Sequence, residues 1–253
     1  MSFGAIVIGD EILSGKRQDK HMAKAIETLA ARGLELAWCQ YVGDDPKRLV
    51  RTLRDSFASG DAVFSFGGIG ATPDDHTRQC AAEAAGVGLA LHPEAEAEIR
   101  ARFGDEVTPR RLAMGEFPVG SAIIPNPYNR IPGFSLRGHH FMPGFPQMAW
   151  PMMAWVLDTH YSALAAPGRI GERSIIVTGC GESQLIDLMN ACLARYPACK
   201  VYSLPRVQPQ RHVELGVRGD ASQVPEAILE LQQGVTALGF EWLDAQAEAA
   251  SSK

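Results

Sequence analysis

Apolar and amphipathic stretches alternate along the N-terminal part of the chain. Runs that are apolar almost throughout predict buried strands at residues 3–8, 36–42 and 62–66. Apolar spacings of three and four residues predict helices at residues 20–31, 45–57 and 75–85, the first with Met22, Ile26 and Leu29 on its apolar stripe. Continuous apolar strands that alternate with helices are typical of a parallel sheet covered on both faces, so the pattern predicts an α/β fold.

The rest of the chain divides at a segment of small residues with Pro and Gly, residues 165–169, which predicts a linker. Before this segment we expect helices at residues 93–103 and 145–161, a strand at 122–124 and a hairpin at 134–142. After it, a βαββα order of apolar patterns predicts a small α+β domain. The predicted domains are therefore residues 1–165 and 170–243, followed by a flexible tail at residues 244–253.

Charge and cysteine content narrow the choice of partners. The net charge is −5, and the chain has no Lys/Arg run. Such a chain attracts neither nucleic acid nor an anionic membrane, so we expect neither as a partner. The five cysteines show no CxxC spacing and no signal peptide is visible, which predicts free thiols in the cytoplasm. An anionic ligand would have to be held locally by helix ends, Gly-rich loops or metal ions.

A Gly-rich stretch, residues 67–70, lies where the third predicted strand ends and a helix begins. In an open parallel sheet, ligands bind beyond the carboxyl ends of the strands. Glycines let the backbone come close to a phosphate, which the amides of a helix N-terminus also attract. The alternative is a tight turn in which Asp74 or Asp75 caps the helix. The spacing is neither that of a Walker loop nor that of a dinucleotide fingerprint.

Acidic residues near this stretch favour a metal–phosphate site. A carboxylate about 4 Å from a phosphate oxygen costs about 4 kcal/mol at an effective dielectric constant near 20, and a bridging Mg²⁺ removes this cost. Besides the aspartate pair, Glu11 follows the first strand and Asp44 follows the second. We expect these turns to converge at one edge of the sheet. His139 and His140, by contrast, are adjacent on a predicted strand and face opposite ways, so we expect them at the hairpin tip or in the core and not as metal ligands.

The stretch from Gly67 to Thr77 resembles the GGxGPTxDDxT signature of the molybdopterin-binding (MoaB/MogA-type) family, as found in the N-terminal domain of competence/damage-inducible protein A (CinA). Further segments, in the same order, are similar to the family's IGxELLxG, VGD, PNPxGxxPG and LPGPP motifs; they are residues 8–15, 42–45, 124–134 and 142–146. Residues 170–240 resemble the KH-like domain that follows in CinA. An amidase-type third region would need many more residues, so the resemblance implies no such activity here.

The resemblance implies a three-layer α/β/α fold with a mostly parallel sheet, molybdopterin or a nucleotide as ligand, and Mg²⁺. It also implies chemistry on a phosphate or pyrophosphate, either adenylation of molybdopterin in molybdenum cofactor assembly or pyrophosphatase action on ADP-ribose or a related dinucleotide such as FAD. By motif position, Asp75 and Asp44 would be catalytic and would hold the metal together with Glu11. The other ligand-binding residues would be Gly9, Gly67, Gly68, Gly70, Thr72, Asp74, Thr77, Pro143 and Gly144.

Departures from the family pattern fall at the expected site. Ala71 and Phe145 replace prolines, while Asp10 and His21 stand where Thr and Asn are usual. The sequence therefore leaves two alternatives open, an Mg²⁺-dependent pyrophosphatase or nucleotidyltransferase and a non-catalytic ligand-binding protein. The resemblance also implies a homo-oligomer, with the Trp- and Met-rich segment at residues 148–157 as the candidate interface.

Overall fold

The computed structural model describes residues 1–206 and 212–245 and divides into two compact units, Met1–Ala165 and a second that begins at Ala166. The strands are β1 (Phe3–Ile8), β2 (Leu36–Val42), β3 (Ala62–Phe66), β4 (Leu89–Leu91), β5 (Glu116–Pro118), β6 (Ala122–Ile124), β7 (Gly133–Leu136), β8 (His139–Met142), β9 (Ile170–Thr178), β10 (Cys199–Arg206), β11 (His212–Asp220) and β12 (Glu241–Asp244). The helices are α1 (Asp10–Leu13), α2 (His21–Ala30), α3 (Pro46–Ser59), α4 (Thr77–Ala85), α5 (Pro93–Phe103), α6 (Pro109–Leu112), α7 (Pro146–His160), α8 (Ile186–Arg195) and α9 (Val224–Ala237).

A six-stranded sheet in the order β2-β1-β3-β8-β7-β6 forms the centre of the first unit. Strands β2, β1, β3 and β8 pair in parallel, and β7 joins β8 and β6 in antiparallel pairs. The mostly parallel α/β fold predicted from the sequence is confirmed. Within the described part of the chain, no helix is both long and apolar enough to cross a membrane.

Alternate residues of β1 pack into two separate hydrophobic cores, one on each face of the sheet, because successive side chains of a strand point to opposite faces. Ala5 and Val7 pack into a cluster with α2 and α7, whereas Ile6 and Ile8 pack into a cluster with α3 and α4. Every residue of β1 is buried. The unit therefore has three layers, with helices on both faces of the sheet.

Helix α2 differs from its prediction in the face that it buries. The expected stripe included Met22 and Ile26, but these side chains are 37% and 42% exposed. The helix buries His21, Ala25 and Leu29 instead. Strand β2 is the edge of the sheet, so side chains of α2 that extend past this strand have no further strand to cover them.

The second unit is an antiparallel sheet in the order β10-β11-β9-β12. Helices α8 and α9 pack with its apolar side chains in a core of their own. The predicted βαββα order omits β12, because this strand has only four residues and they alternate little between apolar and polar. Asp244, the first residue of the predicted tail, ends this strand, and residues 246–253 lie outside the described residues.

The adjacent histidines of β8 are both buried, as the sequence analysis predicted. A hydrogen bond of 2.7 Å joins His139 Nε2 to the Ser56 hydroxyl. His140 forms hydrogen bonds of 2.8 Å with the hydroxyls of Ser135 and Tyr161. Burial lowers the pKa of His139 to about 4 and, with a smaller contribution from His160 and His139, lowers that of His140 to about 3. Both rings are neutral in the folded protein at neutral pH.

We expect acid to destabilise the protein through these two histidines. In the unfolded chain they take up protons near pH 6.5, whereas the folded protein binds them only at much lower pH, so the free energy of unfolding falls as pH drops from 6.5 to about 4. His139 alone contributes a loss of about 3 kcal/mol over that range. Urea unfolding at several pH values measures the slope, which His139→Gln should reduce. An unchanged slope in this variant would contradict the assignment.

Candidate functional site

The carboxyl ends of β2, β1 and β3 meet at one edge of the sheet, and a Gly-containing turn follows each strand. The Gly9 amide donates to the carbonyl of Val42 at 3.0 Å, which joins the turns after β1 and β2. The Gly67 amide donates to the carbonyl of Met142 at 2.9 Å, which joins the turns after β3 and β8. The predicted site residues therefore come from neighbouring turns.

The turn after β3 requires glycine at its first two positions. Gly67 and Gly68 have φ angles of 110° and 69°, which L-residues rarely adopt. A Cβ at Gly67 would lie 2.3 Å from the carbonyl oxygen of Ile8, and one at Gly68 would lie 2.2 Å from Thr77 Oγ1. The backbone of this turn crosses directly over the end of β1.

Thr77, the first residue of α4, fixes this turn through two hydrogen bonds. Its hydroxyl donates to the carbonyl of Gly67, and its amide donates to the carbonyl of Gly68, both at 3.0 Å. The side chain is completely buried. Thr77 was predicted to contact the ligand; the structure shows it in contact with the loop.

Asp75 supports the outer part of the same turn. Its Oδ2 accepts hydrogen bonds from the amide and hydroxyl of Thr72, at 2.8 and 2.5 Å. A Cβ at Gly70 would lie 2.5 Å from this oxygen, so the carboxylate packs against Gly70. Asp75 thus links Gly70 to Thr72, whereas the neighbouring Asp74 is exposed.

A buried cation, Arg78, lies behind the loop and was missed by the sequence analysis. Its guanidinium donates to the carbonyl of Gly70 at 2.8 Å and to that of Glu116 at 3.2 Å, and it also contacts the carbonyl of Ala113. The side chain is 4% exposed, and burial lowers its pKa. The one available signal is its position in the first turn of a helix that follows a Gly-rich loop.

The turns after β1 and β2 are joined by reciprocal hydrogen bonds. The Asp10 amide donates to Asp44 Oδ2 at 2.9 Å, and the Asp44 amide donates to Asp10 Oδ1 at 3.2 Å. The Glu11 carboxylate lies over Gly9, where a Cβ would come within 2.4 Å of Oε2. Burial raises the pKa of Asp44, and the charges of Asp10, Glu11 and Asp74 raise it further. The acidic turns therefore converge around Asp44.

A turn after β8, predicted as the rim, closes one side of the site. A Cβ at Gly144 would lie 3.5 Å from the Cα of Gly67, so this turn touches the Gly-rich loop, and the adjacent Pro143 is half-buried. A hydrogen bond of 3.1 Å joins His21 Nε2 to the carbonyl of Gly144. The His21 ring also stacks on Phe66 with centroids 4.5 Å apart. His21 connects the start of α2 with the rim.

The acidic residues do not form a complete metal cage. Among residues 1–206 and 212–245, no three His, Cys, Asp or Glu side chains are placed to hold a metal ion together. Mg²⁺ in phosphate-binding sites is commonly held by only one or two carboxylates, and the ligand and water supply the rest. Burial is the main cause of the raised pKa of Asp44, and a nearby cation would relieve only the smaller part that comes from Asp10, Glu11 and Asp74. The described residues therefore offer at most one or two carboxylates to a cation, and its other ligands would have to come from a bound molecule and water.

Comparison with known proteins gives matches over the first unit and beyond it. The family described as probable molybdopterin binding domain matches residues 4–161. A protein of Caldivirga maquilingensis is 31% identical over 89% of this chain and 93% of its own length. A CinA-like protein of Syntrophotalea carbinolica is 32% identical over 73% of this chain but only 47% of its own length. The chain thus spans about half of that CinA-like relative.

A solved structure shows the same fold. The crystal structure of CinA from Thermoplasma acidophilum, a protein of unknown function, matches with a TM-score of 0.57 and 28% identity. The match covers 62% of this chain and 98% of that chain.

The role of Gly68 can be tested by a matched pair of substitutions. Gly68 and Gly86 have almost the same φ, 69° and 68°, but a Cβ at Gly86 would meet no atom within 4 Å. Gly86→Ala should therefore cost only the backbone strain, about 1–2 kcal/mol. Gly68→Ala should cost roughly 2 kcal/mol more, because it also collides with Thr77. Equal losses in chemical unfolding would show that Thr77 does not restrain the loop.

We expect Asp44→Asn to stabilise the protein at pH 7. Because the pKa of Asp44 is raised in the folded state, its ionisation at neutral pH disfavours folding. The gain should be about 0.5 kcal/mol, a Tm increase of roughly 1–2 °C, and should vanish as pH falls through the raised pKa toward 3.8. Asp45→Asn is the control, because that side chain caps α3 and asparagine caps equally well. A lower Tm for Asp44→Asn at pH 7 would contradict this account.

Proposed function

The chain belongs to the family of probable molybdopterin binding domains and is related to CinA. From this membership we propose that its Gly-rich loop binds a phosphorylated pterin or nucleotide with Mg²⁺. We also propose that the protein acts on a phosphate or pyrophosphate bond of that ligand. The observation that carries this proposal is the loop at residues 67–70, held by Thr77 and Arg78 beside the acidic turns around Asp44.

The hydrogen bonds of the loop support phosphate binding. The carbonyls of Gly67 and Gly68 accept from Thr77, and that of Gly70 accepts from Arg78. In a trans peptide the amide that follows a carbonyl points the opposite way. The amides of the residues after each of these carbonyls, 68, 69 and 71, therefore point away from α4. We propose that these amides bind the phosphate, aided by the positive charge of Arg78.

The acidic turns support a metal-dependent reaction. Asp44, together with Asp10 or Glu11, would hold Mg²⁺, which neutralises charge on a phosphate and polarises its P–O bond when bound. Through that metal, Asp44 and Glu11 would also fix the position of the phosphate relative to the loop. Asp75 would act by holding Thr72 and Gly70 in place, because its Oδ2 is occupied by Thr72. Pyrophosphatase and nucleotidyl-transfer chemistry use this same set of groups.

A second candidate function is ligand binding without turnover. The observation that favours it is the hydrogen bonding of Asp75, whose Oδ2 serves the loop, together with the incomplete acidic cage among the described residues. In that case a ligand at 100 times its Kd stabilises the protein by about 2.7 kcal/mol and is recovered unchanged.

Turnover assays distinguish the two functions. The protein is incubated with ADP-ribose, with FAD, and with ATP plus molybdopterin, with and without Mg²⁺, and products are separated by chromatography. We expect Mg²⁺-dependent turnover of one substrate, which Asp44→Asn lowers on the order of 100-fold and Asp75→Asn also lowers. Asp45→Asn should retain wild-type activity.

The absence of turnover with every substrate, combined with ligand-induced stabilisation of the wild type, would establish the binding function. Neither turnover nor stabilisation by any of these ligands would overturn both candidates.

A further inference from the structure

A groove of about 630 Å³ lies beside the acidic turns, between α1 and the carboxyl end of β2. Small-molecule sites commonly have volumes of about 300–1,000 Å³, with mostly apolar walls and a few polar groups. The groove is lined on one side by Ile12 and Leu13 of α1 and on the other by Tyr41 of β2. The connecting loop supplies the rest of the lining, Gly15, Arg17, Gln18 and Asp19. Leu13 and Tyr41 are 57% and 41% exposed.

The aromatic wall of the groove is held in one orientation. Asp19 Oδ2 accepts from the Tyr41 hydroxyl at 2.9 Å and from the Met22 amide at 3.1 Å, and Asp19 Oδ1 accepts from the His21 amide at 2.7 Å. Asp19 thus ties Tyr41 to the start of α2. A fixed and exposed tyrosine ring is a surface on which a flat ligand can stack at little entropic cost.

The loop between α1 and α2 contributes two polar side chains to the groove, Arg17 and Gln18. The Arg17 amide donates to the carbonyl of Glu11 at 3.0 Å, which ties the loop to α1. The side chains of Arg17 and Gln18 are both exposed. Among the described residues, no carboxylate forms an ion pair with Arg17. A planar guanidinium stacks on aromatic rings, and a glutamine amide can both donate to and accept from the edge of a heterocycle.

The groove and the Gly-rich loop are close enough for a single ligand to occupy both. The groove lies at the end of β2 and the loop at the end of β3, with β1 between them. Adjacent strands are about 4.8 Å apart, so the two sites are separated by roughly 10 Å along the edge. Leu13 also approaches the acidic turn, because a Cβ at Gly43 would lie 3.3 Å from Leu13 Cδ1.

We propose that this groove binds the planar nitrogen heterocycle of the ligand whose phosphate binds the Gly-rich loop. The ring stacks on Tyr41, Arg17 covers it, and Gln18 pairs with its polar edge. The substrate class is then a purine or pterin joined to a phosphate or pyrophosphate by a spacer of several bonds. This inference rests on the proposed function of the loop.

Ligands with and without a ring test the groove and the Gly-rich loop separately. Calorimetric titration with Mg²⁺ present compares inorganic pyrophosphate, which has no ring, with ADP-ribose and 6-hydroxymethylpterin pyrophosphate. The double variant Arg17→Ala/Gln18→Ala should bind the ring-bearing ligand at least tenfold more weakly and pyrophosphate within twofold of wild type. Lys16→Ala, which removes the same charge from an exposed neighbour outside the groove, should change neither affinity. Tyr41→Leu should weaken binding of the ring-bearing ligand more than Tyr41→Phe does.

Each other result overturns a defined part of the proposal. Unchanged affinity of the double variant for the ring-bearing ligand would exclude the groove and leave the loop proposal intact. An equal loss for pyrophosphate would show that Arg17 acts only through its charge, which also excludes ring binding. If the wild type binds none of these ligands, the groove and the function proposed for the loop both fail.

Discussion

The close crossing of Gly67 over the end of β1 is the constraint on which the rest of the site depends. Its φ of 110° and the 2.3 Å that a Cβ would leave to the Ile8 carbonyl exclude any side chain there. Through this one residue the turn after β3 meets β1, the turn after β8 and the first residue of α4. The same glycine is also where the rim touches the loop, because a Cβ at Gly144 would lie 3.5 Å from its Cα.

Local patterns in the sequence predicted the sheet and the turns that form the candidate site, but not the contacts between those turns. Strand β1 and the loop at residues 67–70 were predictable because apolar runs and glycine spacing are properties of consecutive residues. The function of Arg78 depends on carbonyls about 35 residues away, at Ala113 and Glu116, which no local pattern encodes. The same holds for His21, whose partner Gly144 belongs to another turn.

The wrong prediction for α2 has a different origin. Of the three residues assigned to the buried face, Leu29 is buried, but Met22 and Ile26 are not. The small Ala25 and the ring of His21 are buried in their place. Periodicity identifies a helix well, but it cannot tell which strand lies at the edge of a sheet. The position of β2 at that edge decides which side chains remain exposed. That exposure in turn leaves Tyr41 accessible beside the groove.

Thr77 uses both its amide and its hydroxyl to hold the loop, so the groups that fix its conformation belong to the folded chain itself. The conformational entropy of the loop is therefore lost when the protein folds and not when a ligand arrives. A site organised in this way can be reached by rigid-body collision, so its association rate is set by diffusion and charge instead of by loop closure. For the phosphate ligand that we propose, the acidic surroundings of the loop would make this rate depend on how far a counter-ion has already neutralised the charge of the phosphate.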